Sequence, residues 1–206
     1  DLIGENKDTT IIDGNKIRCV IFVSTNNVSI SGFTIRNSSQ EGAKAGIVIS
    51  VSDMIIISGN NIEDNKFGIL MVYAINCSIS NNYIFNNSAT GINMLNTQYC
   101  SVNDNNQIYD NGQGISNKDG ADDVITSNSI FNNFFDGIYL NDCSELSISY
   151  NEIYGNCIVS LDTGGIRSEN CYKTNIIDNQ IFDNSNNGII LKNELNIVIQ
   201  LNDIVD

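Results

Sequence analysis

The side chains able to do chemistry gather between residues 93 and 169. Arg167, Tyr139 and Lys118 are types that could move a proton: Arg or Lys takes it from the carbon beside a carboxylate, and Tyr assists. A cation held by nearby aspartates would neutralise the acid. The same three residues, with Asn93, Ser116, Asn141 and Glu169, also make up a sugar-binding inventory. Such a face needs an aromatic ring for stacking, with Arg and carboxylates for hydroxyls or uronates. A plain solvated face with scattered charges is the third reading.

The acidic run Lys118-Asp119-Gly120-Ala121-Asp122-Asp123 could hold calcium through carboxylate and carbonyl oxygens, with Asp119, Asp122 and Asp123 as ligands. It fits neither the EF-hand loop nor the glycine-rich calcium repeat, and an acidic turn without metal is the simpler expectation. No cofactor is otherwise expected.

Composition removes other chemistries. The 206 residues include no His, so there is no His general base, no His-containing nucleophile pair and no His-ligated metal. Ten basic residues against 24 acidic ones give a net charge of −14, a field that repels nucleic acid and anionic lipid. No apolar run approaches the roughly 20 residues that a membrane-spanning helix needs. The chain opens on Asp1 with no basic-then-apolar leader, so any signal peptide is absent or already removed.

A repeat positions the candidate residues. Gly-Ile recurs at Gly46, Gly68, Gly91, Gly114, Gly137, Gly165 and Gly188, in steps of 22, 23, 23, 23, 28 and 23 residues. Asn-x-Ile recurs with it, ending at Ile62, Ile84, Ile108, Ile130, Ile153, Ile181 and Ile204. Another Asn follows three residues later, at Asn65, Asn87, Asn111, Asn133, Asn156 and Asn184. Of the 206 residues, 35 are Asn and 35 are Ile. Within each copy apolar residues alternate with polar ones, which is the strand period. Asn, Asp, Ser and Gly separate three short strands per copy.

One such unit cannot bury its own apolar face, so equivalent strands must stack at about 4.8 Å into three parallel sheets. The predicted fold is all-β: a right-handed single-stranded parallel β-helix of about eight coils of 22–24 residues. Its length at that spacing is about 40 Å. Asn suits the corners because it tolerates left-handed backbone. Its amides, in register, can donate along the axis as a ladder.

Stacking also sorts the other side chains. The outward row after each Gly-Ile reads Val48, Leu70, Asn93, Ser116, Tyr139, Arg167, Ile190. The next outward row reads Ser50, Val72, Leu95, Lys118, Asn141, Glu169, Lys192. The candidate residues therefore share one sheet face, with Asp119, Asp122, Asp123, Asp136, Asp142 and Asp162 beside it. The long step sets an extra loop, about Cys157 to Gly164, next to Tyr139 and Arg167. Phe85, Tyr109, Phe131, Tyr154 and Phe182 fall in register as a stripe, either ladder packing or a surface for an oligomer or glycan. Cys77 and Cys100 share one slot and Cys143 and Cys171 another; stacked vectors are parallel, so these thiols are expected buried and reduced, with a soft-metal site as the functional alternative.

The coils from Thr10 to Asp206 resemble the parallel β-helix repeats of the pectate-lyase-like superfamily, and most closely the NosD-like group of periplasmic and archaeal surface proteins. The opening Leu2-Ile3-Gly4-Glu5-Asn6-Lys7-Asp8-Thr9-Thr10-Ile11-Ile12-Asp13-Gly14 is similar to the segment after the N-terminal cap of that group. The resemblance implies an exported location, extracellular or at the cell surface. Four Asn-x-Ser/Thr sequons, at Asn27, Asn37, Asn76 and Asn86, lend that location weak support. These coils carry lyases, hydrolases, epimerases, adhesins and surface-layer proteins, so no catalytic residue transfers.

The group is also linked with copper-centre maturation, but three Met and no His make this chain a poor copper carrier on composition. No cap precedes Leu2 or follows Ile204, so residues 1–206 read as one β-helix domain of a longer chain, or as a unit stacking end to end or side by side. The function expected is a non-catalytic binding or structural module, towards a glycan or a surface partner. The alternatives are a uronate polysaccharide lyase or epimerase, and a surface-layer or adhesin segment.

Overall fold

The computed structural model describes residues 1–158 and 162–205, and it is a parallel β-helix. The first sheet has nine strands, from Leu2–Ile3 to Val198–Gln200. The second also has nine, from Ile11–Asp13 to Asp203–Val205. The third has eight longer strands, from Ile21–Val23 to Asn187–Lys192. Every pairing is parallel and joins a strand to its equivalent one coil away. Eight full coils and part of a ninth result, as the repeat requires.

Isoleucine fills the interior. Ile84, Ile108 and Ile130 are register partners in the second sheet, and all three are fully buried. Ile79, Val102 and Ile125 do the same in the first sheet, and Ile92, Ile115 and Ile138 in the third. Each such burial is worth about 1.5–3 kcal/mol against exposure, so the stack is the main stabilising element.

The recurrent Gly has a steric cause rather than a conformational one. A Cβ on Gly91 would lie 2.8 Å from the Gly114 carbonyl oxygen, 2.9 Å from Ile108 Cγ2 and 3.1 Å from Asn111 Nδ2. The start of each third-sheet strand is pressed against the ladder and the second sheet.

Two asparagine ladders run along the corners. Asn82 donates through Nδ2 to Asn106 Oδ1 at 3.1 Å, Asn106 to Asn128 at 2.8 Å and Asn128 to Asn151 at 3.1 Å. The second ladder links Asn87, Asn111, Asn133 and Asn156 in the same way at 2.9–3.1 Å. Each amide also donates to a backbone carbonyl, as Asn133 does to Ile108. One expectation needs correcting: the ladder residues are not the left-handed ones. The residue just before each carries the positive φ, for example Asn81 before Asn82, Asn132 before Asn133 and Tyr150 before Asn151. That residue turns the chain and points outward, leaving the next Asn to face in.

The aromatic stripe is a continuous stack. Phe85, Tyr109, Phe131, Tyr154 and Phe182 have centroids 4.9–5.1 Å apart and planes within 5° of parallel. All six cysteines are free thiols, and all but Cys19 are buried.

Candidate functional site

The outward face of the third sheet changes character along the axis. Val48 and Leu70 form an apolar patch at one end. Beyond them register pairing sets Asn93 beside Ser116, Ser116 beside Tyr139, and Tyr139 beside Arg167. The second row pairs Lys118 with Asn141, Asn141 with Glu169, and Glu169 with Lys192. The seven sequence-predicted binding residues thus share one surface, because strand alternation sends every second side chain outward.

Four of the side chains are locked together. The Arg167 guanidinium carbon sits 4.4 Å from the Tyr139 ring centroid. Tyr139 Oη donates to Glu169 Oε2 at 3.0 Å. Glu169 Oε1 lies 3.4 Å from Arg167 Nε and 3.3 Å from Lys192 Nζ. Lys192 also pairs with Asp162 at 2.8 Å, and Arg167 Nη1 donates to the Asp162 carbonyl at 2.7 Å. The extra loop therefore touches the platform as expected, although its residues 159–161 lie outside those described.

Asp136 anchors the platform from below. It is buried, accepts from the Gly164 amide at 2.8 Å and from Gln113 Nε2 at 3.1 Å, and lies 3.9 Å from Arg167 Nε. Burial pushes its carboxyl above the usual range, against the pull of the Gly164 amide and Arg167. Burial disfavours the charge on Arg167, yet the Tyr139 oxygen and the Asp136 and Glu169 carboxylates outweigh it and raise its pKa. Burial likewise raises Tyr139. Neither group is tuned towards a free base, which proton abstraction at neutral pH would need.

The remaining candidates divide. Lys118 is exposed and pairs with no carboxylate among the described residues. Among the described residues the Asn141 side chain makes one long contact, to the Glu169 carbonyl at 3.5 Å. The three carboxylates of the acidic turn do not act together: Asp119 is exposed and Asp122 half-buried, while Asp123 points into the core. Both Asp123 oxygens are engaged, Oδ2 by Thr97 Oγ1 at 2.6 Å and Asn117 Nδ2 at 2.9 Å, and Oδ1 by the Cys100 amide at 2.8 Å. Among the described residues no three His, Cys, Asp or Glu side chains group as a metal site. Asp123 occupies the slot of Cys77 and Cys100, and aligning Ile75-Asn76-Cys77 with Ala121-Asp122-Asp123 would have shown it facing inward. Gln113 was missed because only its contact with Asp136 singles it out.

Residues 6–163 match the family described as periplasmic copper-binding protein (NosD). No curated relative matches the chain. The A-module of the Azotobacter vinelandii mannuronan C-5 epimerase AlgE6 superposes with a TM-score of 0.67 at 15% identity, over 96% of this chain and 63% of that one. The periplasmic alginate epimerase AlgG gives 0.64 at 12%, over 86% of this chain and 61% of that one. Full-length tailspike protein 2 of an Escherichia coli O157:H7 bacteriophage gives 0.62 at 15%, over 97% of this chain and 36% of that one. The chain thus spans less than two thirds of these three proteins. At such identities the likeness is one of fold.

A copper-binding description asks whether this chain holds suitable donors. Without His, any donors must be soft sulfur, which suits Cu(I). Met71 and Met94 are inward register partners, and Cys77 and Cys100 follow on the same two coils.

Proposed function

The chain belongs to the NosD family of periplasmic copper-binding proteins, and from that premise we propose that it is an exported module whose third-sheet face binds hydroxyl-rich glycans without transforming them. The family's periplasmic description supports the exported location. The observation that carries the binding reading is the Tyr139–Arg167–Glu169 lock. Arg167 covers one face of the Tyr139 ring, and the coil on the other side presents only the short Ser116. A sugar ring can lie over Ser116 and Asn93 against the free face of Tyr139, with Asn141 and Lys118 at its edge. The ring is held in advance by its bond to Glu169, which lowers the ordering cost of binding.

Charge selects the class of glycan. Arg167 is met by Asp136 and Glu169, and Lys192 by Asp162 and Glu169, so neither cation is spare for a carboxylated polymer. A net charge of −14 adds long-range repulsion. Of the platform's cations only Lys118 lacks a carboxylate partner among the described residues, so neutral glycans fit this face better than polyuronates. The raised pKa values of Arg167 and Tyr139 argue in the same direction against lyase or epimerase chemistry.

Affinity electrophoresis tests this reading, using gels cast with soluble neutral polysaccharides or with alginate and pectate. Retardation by a neutral polymer that disappears in Tyr139→Ala supports it. Equal mobility in every gel, or an ultraviolet-absorbing unsaturated product from alginate or pectate, would reject it.

A further inference from the structure

The bend that carries the chain from the third sheet into the first has two left-handed backbone positions per coil. Over five successive coils the first of them reads Val51, Tyr73, Asn96, Asp119 and Asp142. The second reads Met54, Asn76, Tyr99, Asp122 and Glu145. Left-handed backbone suits Asn and Asp, whereas a β-branched or bulky residue there is an outlier. Val51, Tyr73, Met54 and Tyr99 are also 72, 57, 48 and 54% exposed, so burial within the chain does little to offset the backbone cost. Asn stands at the same positions on neighbouring rungs, at Asn96 and Asn76, and avoids both penalties. Strained apolar side chains that face solvent and that the fold does not require point to a use outside the chain.

The four are contiguous. Val51 and Tyr73 occupy adjacent rungs, and the Met54 amide donates to the Ile75 carbonyl on the next coil. Ile75 and Ile56 are exposed as well. Two clefts of about 400 and 450 Å³ open on this patch, one lined in part by Tyr73 and Ile75, the other by Met54 and Ile56. Farther along the axis the same two rows turn acidic. Asp119 and Asp142 are exposed and Asp122 is half-buried. Among the described residues none of these three pairs with a cation. The five bend segments, 51–54, 73–76, 96–99, 119–122 and 142–145, contain no Lys or Arg. Four coil spacings make the strip about 19 Å long, apolar at one end and acidic at the other.

We propose that this bend docks a segment of a partner protein in which an apolar block lies beside a block of Lys and Arg. A contiguous exposed apolar patch marks an interface, and Tyr is a side chain that binding surfaces favour. The unpaired carboxylates select a basic partner. Aliphatic Val51, Met54 and Ile75 offer nothing to sugar hydroxyls, which favours a peptide over a glycan. A second copy of this chain carries the same net charge of −14 and is repelled. The strip lies off the Tyr139–Arg167 platform, so it does not rest on the glycan reading of that face.

The test is selection of a random twelve-residue peptide library, displayed on phage, against the folded protein, with enriched peptides titrated by fluorescence anisotropy. The expected consensus sets an apolar block next to Lys and Arg. Tyr73→Asn/Tyr99→Asn should weaken these peptides by about tenfold or more. The same variant should unfold at higher urea than the parent, because Asn relieves the left-handed backbone. Asp119→Asn/Asp142→Asn should weaken the peptides about fivefold at low salt and less at high salt. The proposal is overturned if no consensus emerges, if the consensus is neutral or acidic, or if the Tyr variant binds undiminished. A lower urea midpoint in that variant would make the tyrosines structural and overturn it too. Sedimentation velocity that shows a parent dimer lost in the Tyr variant would assign the strip to a second copy. Retardation by a neutral polysaccharide that is lost in this variant, rather than in Tyr139→Ala, would assign it to a glycan. Either result also overturns the proposal.

Discussion

Arg167 lies over the Tyr139 ring, its guanidinium carbon 4.4 Å from the centroid, while both side chains reach the same carboxylate, Glu169. The ring is thereby fixed as a wall of the platform. Tyr139→Phe keeps the wall and loses one hydrogen bond, worth about 1 kcal/mol, so glycan affinity should fall about fivefold. Tyr139→Ala should abolish retardation in the gel. Arg167→Lys retains the charge but not the planar stack, and should resemble Tyr139→Phe more than Tyr139→Ala. If Tyr139→Ala migrates like the parent, this face is not the binding surface.

Asp123 gives a pH dependence of defined sign. Burial pushes its carboxyl up, against the bonds from Thr97, Asn117 and the Cys100 amide. The folded state then binds this proton more tightly than the unfolded state, so stability falls as pH rises. The contribution is complete below the ordinary carboxylate range and is lost as pH climbs through the raised value. Asn117 Oδ1 is buried with no partner among the described residues, and a proton on Asp123 could serve it after the amide turns over. Asp123→Asn should do the same permanently. Urea midpoints from about pH 3.5 to 7 should show the variant gaining on the parent as pH rises. Asp13 and Asp162 are shifted downward and act in the opposite sense, so the difference between the two proteins is the quantity to read. A constant difference across the range would show that Asp123 does not carry a raised proton affinity.

The fold was legible in the sequence because period and register are the same thing in a solenoid. Once Ile84, Ile108 and Ile130 share a repeat position, they must be vertical neighbours, and so must Tyr139 and Arg167. What escaped were facts that depend on three-dimensional reach. Asp136 is adjacent to the platform in sequence, but its burial follows from the long coil folding Gly164 over it. Asp123 reads as one of three surface acids until its slot is compared with Cys100. The left-handed turns are filled by Tyr150, Tyr73 and Met54 as well as by Asn. Asn and Asp fill most of these corners, as their tolerance of left-handed backbone predicts, but the corner does not require them, whereas the buried Asn that follows is specified by its hydrogen bonds.

That contrast can be measured directly. Asn133 donates to the Ile108 and Phe131 carbonyls and to Asn156, and its oxygen accepts from Asn111. Asn133→Ala leaves several buried groups unpaired and should cost about 3 kcal/mol or more in urea unfolding. Asn86, an exposed corner residue with φ of 54°, should cost only about 1 kcal/mol when replaced by Ala, the strain of a left-handed Ala. Comparable losses at the two sites would mean that the ladder is not a principal source of stability.

The aromatic stack should behave as a chain of nearest-neighbour terms. Phe131 touches two rings, Tyr109 at 4.9 Å and Tyr154 at 5.0 Å, whereas Phe182 at the end touches one, Tyr154 at 4.9 Å. Each stacked pair is worth about 0.5–1.5 kcal/mol beyond area. Phe131→Leu should therefore lose about twice as much stacking energy as Phe182→Leu. A double-mutant cycle between Phe131 and Tyr154 should show coupling of that size, while one between Phe85 and Tyr154, three rungs apart, should show none. Because each rung sits on a different coil, the coupling reports directly on coil-to-coil adhesion. Additivity of Phe131 and Tyr154 within error would mean that the rings are aligned by the sheet beneath them and contribute nothing to holding it together.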